Sequence, residues 1–234
     1  MTQRYRHTKI VTNNYLATSE MREEIASTEE MDKPRRRRMD AGERQEEIIQ
    51  AALDLAARHG VESVTTQDMA DALGLTQGAI FRHFPTKDDI WLAAIHWVRS
   101  RLMKVVSAAA AKGENPLDAL EKMFFAHVSF IARHPAIPRM VFSDQLLRRD
   151  TRLKLLIQEI LTGYEAKIAG LLDQAKVAGL VRQDVDEDSA ATLFIGMIQG
   201  LVLQSSIFGG RRSLPEEAKK VFPIYLKGIR ARID

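Results

Sequence analysis

Between residues 40 and 89 the apolar positions fall into short stripes at helical spacing, separated by glycine and threonine punctuation. The first stripe, Ile48, Ile49, Ala52, Leu53, Leu55 and Ala56, predicts a helix from Asp40 to Arg58, capped by Asp40 with Glu43 and ended by His59-Gly60. The second helix opens at Thr65, an N-cap with Asp68 three residues on and with Val64 and Met69 placed as a hydrophobic staple. Gly74 supplies the left-handed residue that ends it. Thr76 then caps a third helix, with Leu75 and Ile80 as a second staple. Met69, Leu73, Ile80, Phe81 and Phe84 stand where two crossed helices could share one small core. Two short helices joined by a glycine turn make a helix-turn-helix, and such a pair can be plain packing or a DNA reader. In a reader the second helix enters the major groove by its N-terminal end, so Thr76, Gln77, Gly78 and Ala79 would face base edges. Thr65, Thr66 and Gln67 start the preceding helix, while Arg82, His83 and Lys87 offer further donors.

The rest of the chain is predicted helical throughout. Thr86 caps a long helix through Trp91, Ile95, Val98, Leu102 and Val105 to about Lys112, with Asp88 and Asp89 in its first turn, where they suit the helix dipole. Gly113-Glu114-Asn115-Pro116 breaks it. Pro116 to Arg133 is amphipathic, and His134-Pro135-Ala136-Ile137-Pro138 forces a corner. A short helix from about Pro138 to Arg148 precedes a long one from Thr151 to Val177, with Leu155, Leu156, Ile160, Ile168, Leu171 and Leu172 expected in the core. Asp186 to Phe208 is apolar nearly all round, which implies burial on more than one side. Gln199, Gln204, Ser205 and Ser206 interrupt it, so it reads as a buried helix and not as a membrane span. Leu214 to Ile233 is the last helix, with Pro223 as an expected kink.

Residues 1–39 are polar and unpatterned, and end in Lys33-Pro34-Arg35-Arg36-Arg37-Arg38. They read either as a flexible tail with a short helix near Ser19 to Met31, or as a basic arm for phosphates or the minor groove carried by Arg35, Arg36, Arg37 and Arg38. The arm would offset an awkward charge balance, since residues 40–90 hold four Lys/Arg against ten Asp/Glu. The absence of cysteine excludes disulfides and Cys-ligated zinc and fits a reducing cytosol. The N-terminus lacks the apolar stretch of a secretory signal. The expected organisation is an N-terminal extension over 1–39, a helix-turn-helix domain over 40–86 and a helical regulatory and dimerisation domain over 87–234.

The run ERQEEIIQAALDLAARHG (43–60), followed by TTQDMADALGLTQGAIFRHFPTKDD (65–89), resembles the DNA-binding domain of the TetR/AcrR family of bacterial transcription regulators. The likeness covers roughly residues 43 to 95. It implies an all-α regulator that binds a palindromic double-stranded operator as a homodimer, most simply a repressor, and lets go when a small effector binds. By the same resemblance the long helix after Thr86 transmits effector binding to the reading heads, and the final two helices pair with their copies in a four-helix interface. Gly196 and Gly200, four apart, would allow close helix approach there, with Phe222 nearby. Dimerisation also follows from the reading problem, because one short recognition helix spans only a few base pairs.

No GxSxG, HExxH, GxxxxGK[ST] or dinucleotide fingerprint occurs, so no enzyme activity and no cofactor are expected. His127 and His134, seven apart, are read as ordinary helix-packing histidines and not as a metal site. The regulatory half is rich in large apolar residues whose first role is core. Cavities between bundle helices are also common ligand sites with a few polar anchors. Trp97, His127, Phe130, Phe142, Gln145, Tyr164 and Gln199 are the expected lining of a largely apolar effector pocket. The alternative is an effector-independent architectural or cell-division factor on the same fold.

Overall fold

The computed structural model describes residues 40–231. The run Arg35–Arg38 and the short helix expected near residues 19–31 lie outside the described residues. Within them the chain forms ten α-helices and no β-strand, with one isolated antiparallel bridge between Val181 and Arg230.

Helix α1 spans Ala41–His59, α2 Thr66–Leu73 and α3 Gln77–Phe81. The caps form as the sequence dictates. Thr65 and Asp68 satisfy one another's backbone N–H groups, Gly74 sits at φ 62° in the left-handed region, and the Thr76 hydroxyl accepts from the Ala79 N–H. Val64, Met69, Ile80 and Phe84 are buried together with the α1 stripe. Phe81, expected in this small core, is instead 42% exposed. α3 ends at Phe81, and one residue's rotation from Ile80 turns the ring off the packed face.

Helix α4, Lys87–Ala110, starts from the reciprocal Thr86–Asp89 cap. Gly113 then lets the chain double back onto α5, Pro116–Arg133, which Asn115 caps. A Cβ on Gly113 would lie 2.6 Å from the backbone of Ala119, so only glycine permits this approach. Past the proline corner the single expected helix is two, α6 (Ala136–Val141) and α7 (Asp144–Arg149). Ser143 takes an extended backbone and its hydroxyl accepts from the Leu146 N–H, which starts a new helix where the pattern suggested continuation.

Helix α8 spans Thr151–Val177, α9 Glu187–Ile207 and α10 Leu214–Ile229, with Pro223 inside the last. Leu155, expected in the core of α8, is exposed, and Leu153 and Ile157 face inward in its place. Helix α9 is long and apolar enough to cross a membrane by length and composition alone. One face of it, with Phe194, Ile195 and Ile198, is buried in the bundle, while Leu193, Leu203 and Ile207 stand exposed on the other. Phe222, expected between subunits, is 1% exposed within its own chain, tilted 4.7 Å from Phe124 and edge-on to Phe125 and Phe194. An aromatic cluster of α5, α9 and α10 claims it. Ile224 on α10 faces outward instead.

Gly113→Ala is expected to lower stability by about 1–3 kcal/mol, because the added methyl meets backbone that cannot swing aside. Thermal unfolding of the variant beside the unmodified protein checks this.

Candidate functional site: a helix-turn-helix face and an apolar cavity

Thr65, Gln67, Thr76, Gln77, Gly78 and Arg82 are exposed, Ala79, His83 and Lys87 are half-buried, and together they occupy the helix-turn-helix and the turn after it. Thr66 departs from this set. It is buried, and its hydroxyl accepts a 2.7 Å hydrogen bond from the Gln77 side-chain amide. That bond ties α3 to α2 across the turn between them. Gln67 is similarly braced by Asp71 at 2.7 Å. Because α3 ends at Phe81, Arg82 and His83 lie just beyond it, and the His83 carbonyl accepts from Gln45 on α1.

The acidic surplus of this region has a structural explanation. Glu43, Asp68 and Asp89 are spent on helix caps, and hydrogen bonds from Thr65 hold Asp68 below the usual carboxylate range. Glu46, Glu62, Asp88 and Asp89 are turned to the later helices. Glu46 Oε1 accepts from Trp97 at 3.1 Å and Arg101 at 2.7 Å, Glu62 from Ser143 at 2.8 Å, Asp88 from Arg149 at 3.1 Å and Asp89 from Arg152 at 3.0 Å. Asp89 sits below its ordinary range, first through Thr86 and then Arg152. Arg82 makes no ion pair among the described residues. Lys87 is less basic than an ordinary lysine, chiefly through burial and then through nearby Arg149.

The helices after Thr86 enclose a cavity of about 110 Å³. Ile95, Val98 and Leu102 of α4, Ile137, Pro138, Met140 and Val141 of α6, and residues of α5, α8 and α9 wall it. Of the expected lining, His127, Phe142, Tyr164 and Gln199 are there. His127 and Tyr164 are both buried, with Nδ1 and the phenol oxygen 3.2 Å apart. Burial pushes His127 down to about 4 and the Tyr164 phenol up, so both are uncharged at neutral pH.

Trp97, Phe130 and Gln145 do not line the cavity. Ile95, Val98 and Leu102 share one face of α4, and Trp97 lies off it, where its indole N–H meets Glu46. Phe130 is buried 4.5 Å from the His134 ring, one face round from His127 and Ile131. The break at Ser143 leaves Gln145 exposed on α7. His134 bonds the Phe130 carbonyl at 2.7 Å and lies edge-on to Trp97, and no cluster fit for a metal occurs among the described residues. The wall residues that sequence reasoning did not single out, such as Ile137, Ile157 and Ile198, carry the same apolar signature as core. Only the void distinguishes them.

Residues 48–94 match the family model described as bacterial regulatory proteins of the tetR family. That segment is a tetR-family domain. Among curated relatives, the nucleoid occlusion factor SlmA of Haemophilus ducreyi is 25% identical over 136 residues, 58% of this chain and 67% of that one. Among solved structures, the fatty acid degradation regulator FadR from Bacillus halodurans superposes with a TM-score of 0.70 at 24% identity, covering 80% of this chain and 97% of that one. The transcriptional regulator FadR from Bacillus subtilis, in complex with stearoyl-CoA, gives 0.69 at 20% identity, with 79% and 98% covered.

The buried His127 sets a pH dependence for the stability of this protein. Its folded pKa lies below its unfolded one, so between about pH 6.5 and 4 the unfolded chain binds more protons and stability falls as the pH falls. The contribution is on the order of 3 kcal/mol across that window. Denaturant titrations over this range should show a flatter slope for His127→Gln than for the unmodified protein.

Proposed function

We propose that this TetR-family protein is a cytoplasmic, ligand-responsive transcriptional regulator, most simply a repressor, that binds a palindromic operator as a dimer and is released by an apolar effector. One observation carries the reading: two of the cavity's walls, α4 and α6, are also the helices packed against α1. Arg139 of α6 reaches the Ala56 carbonyl of α1 at 3.5 Å, and Trp97 and Arg101 of α4 grip Glu46. A void of about 110 Å³ is smaller than the ~150 Å³ in which an engineered apolar cavity takes up benzene. A larger effector therefore parts the walls, and parting them shifts the support of the helix-turn-helix.

The division of labour follows: residues 40–86 read DNA, and 87–234 sense and dimerise. The stripe of exposed Leu193, Gly196, Leu203 and Ile207 and half-buried Gly200 on α9, with Ile224 on α10, is the face offered to a second copy. Within the reading face, Gln77 selects the base, Thr66 aims Gln77, and Arg82 and Lys87 hold phosphate. The similarity to SlmA favours a second reading, an effector-independent DNA-binding factor, since the matched 136 residues extend well past the helix-turn-helix.

Genomic footprinting with the purified protein, followed by displacement from the recovered site with apolar compounds, separates the two. We expect a two-fold symmetric footprint and release of the DNA by at least one compound that binds the protein. Gln77→Ala should change the preferred base by about 1–3 kcal/mol, and Lys87→Ala should weaken all sequences alike. DNA binding indifferent to every bound compound would support the second reading.

A further inference from the structure

The cavity wall is apolar except at His127, Tyr164 and Gln199, and no Lys, Arg, Asp or Glu belongs to it. Building on the effector reading above, we infer that the cavity selects an uncharged molecule bearing one hydrogen-bond-accepting oxygen, such as a ketone, ester or lactone, and that the His127–Tyr164 pair donates to that oxygen.

Counting protons leads there. A neutral imidazole carries one N–H and a phenol one O–H, so the pair owns two donor hydrogens. The 3.2 Å contact between Nδ1 and the phenol oxygen consumes one of them. If the phenol donates to Nδ1, the imidazole must carry its hydrogen on Nε2. If Nδ1–H donates to the phenol oxygen, the phenol hydrogen is released. Either way one donor hydrogen is left over, on a pair whose two residues both line the cavity. A carbonyl oxygen satisfies it at no cost in charge.

A charged end is excluded by the same wall. A carboxylate or quaternary ammonium in an apolar cavity loses its hydration, and no opposite charge stands there to compensate. Protonating the imidazole to meet an anion is itself opposed by burial. Gln199 is neutral and can serve a second dipole, not an ion.

The test is calorimetric titration of the full-length protein at pH 7.5 with one eight-carbon chain bearing different ends: 2-octanone, octanoate and octyltrimethylammonium. Toluene is the probe that fills space without strongly accepting a hydrogen bond. We expect 2-octanone to bind at least about a hundredfold more tightly than either ion. Tyr164→Phe should weaken 2-octanone about two- to tenfold and leave toluene unchanged, which also shows that the variant keeps its cavity. Octanoate or the ammonium binding as tightly as the ketone, or no measurable binding of the ketone, overturns the inference. The comparison of the three ends on the unmodified protein decides even if the variant unfolds. Release of the footprinted DNA is read separately: a bound ketone that leaves the DNA in place contradicts the effector reading and not the polarity of the cavity, whereas DNA release by octanoate does the reverse.

Discussion

The placement of the helix-turn-helix in this protein depends on α1 having no private support. A helix-turn-helix of two short helices buries too little to set its own orientation firmly, so it leans on α1. That helix leans in turn on α4 and α6. α4 has 24 residues and is about 36 Å long. Its first turns are tied to α7 and α8 through Asp88–Arg149 and Asp89–Arg152, its middle to α1 through Trp97 and Arg101, and one face to the cavity through Ile95, Val98 and Leu102. Tight interiors do not deform continuously, so a change of shape at that face has to be passed on as a shift of packed helices.

The polar ties are partly exposed, and each adds little stability alone. Their value is positional. They also account for a domain with more acidic than basic residues that nonetheless carries a DNA-reading motif. Caps and anchors take up Glu43, Glu46, Glu62, Asp68, Asp88 and Asp89, and Arg82 is left without an ion-pair partner among the described residues.

Features written in local chemistry could be read from the chain. The caps at Thr65, Thr76 and Thr86, the left-handed Gly74 and the six buried residues of α1 are set by neighbours within one or two turns. What could not be read depends on distant partners. Thr66 is hidden because Gln77 folds over it, and no spacing rule links a buried hydroxyl to a residue in the next helix. Phe222 belongs to an intrachain aromatic cluster that only the crossing of α5, α9 and α10 assembles. The cavity is the hardest case, because Ile95 beside a void and Ile95 beside a leucine have the same pattern. Its polar residues, His127, Tyr164 and Gln199, were identifiable because a polar group amid an apolar stripe needs a reason. Trp97 and Gln145 misled for the converse reason: each satisfied its polar atoms elsewhere, with Glu46 or with solvent.

The coupling of cavity to reading head can be tested without any effector. Ile198 lines the cavity from α9, and Ile198→Phe adds volume at that wall. Amide hydrogen exchange across the full-length chain then reports where the strain goes. If α4 and α6 transmit it, exchange quickens in Ala41–His59 and Thr66–Leu73 as well as around the cavity; if it changes only in α5, α8 and α9 while α1 exchanges as before, the shared-wall account is wrong.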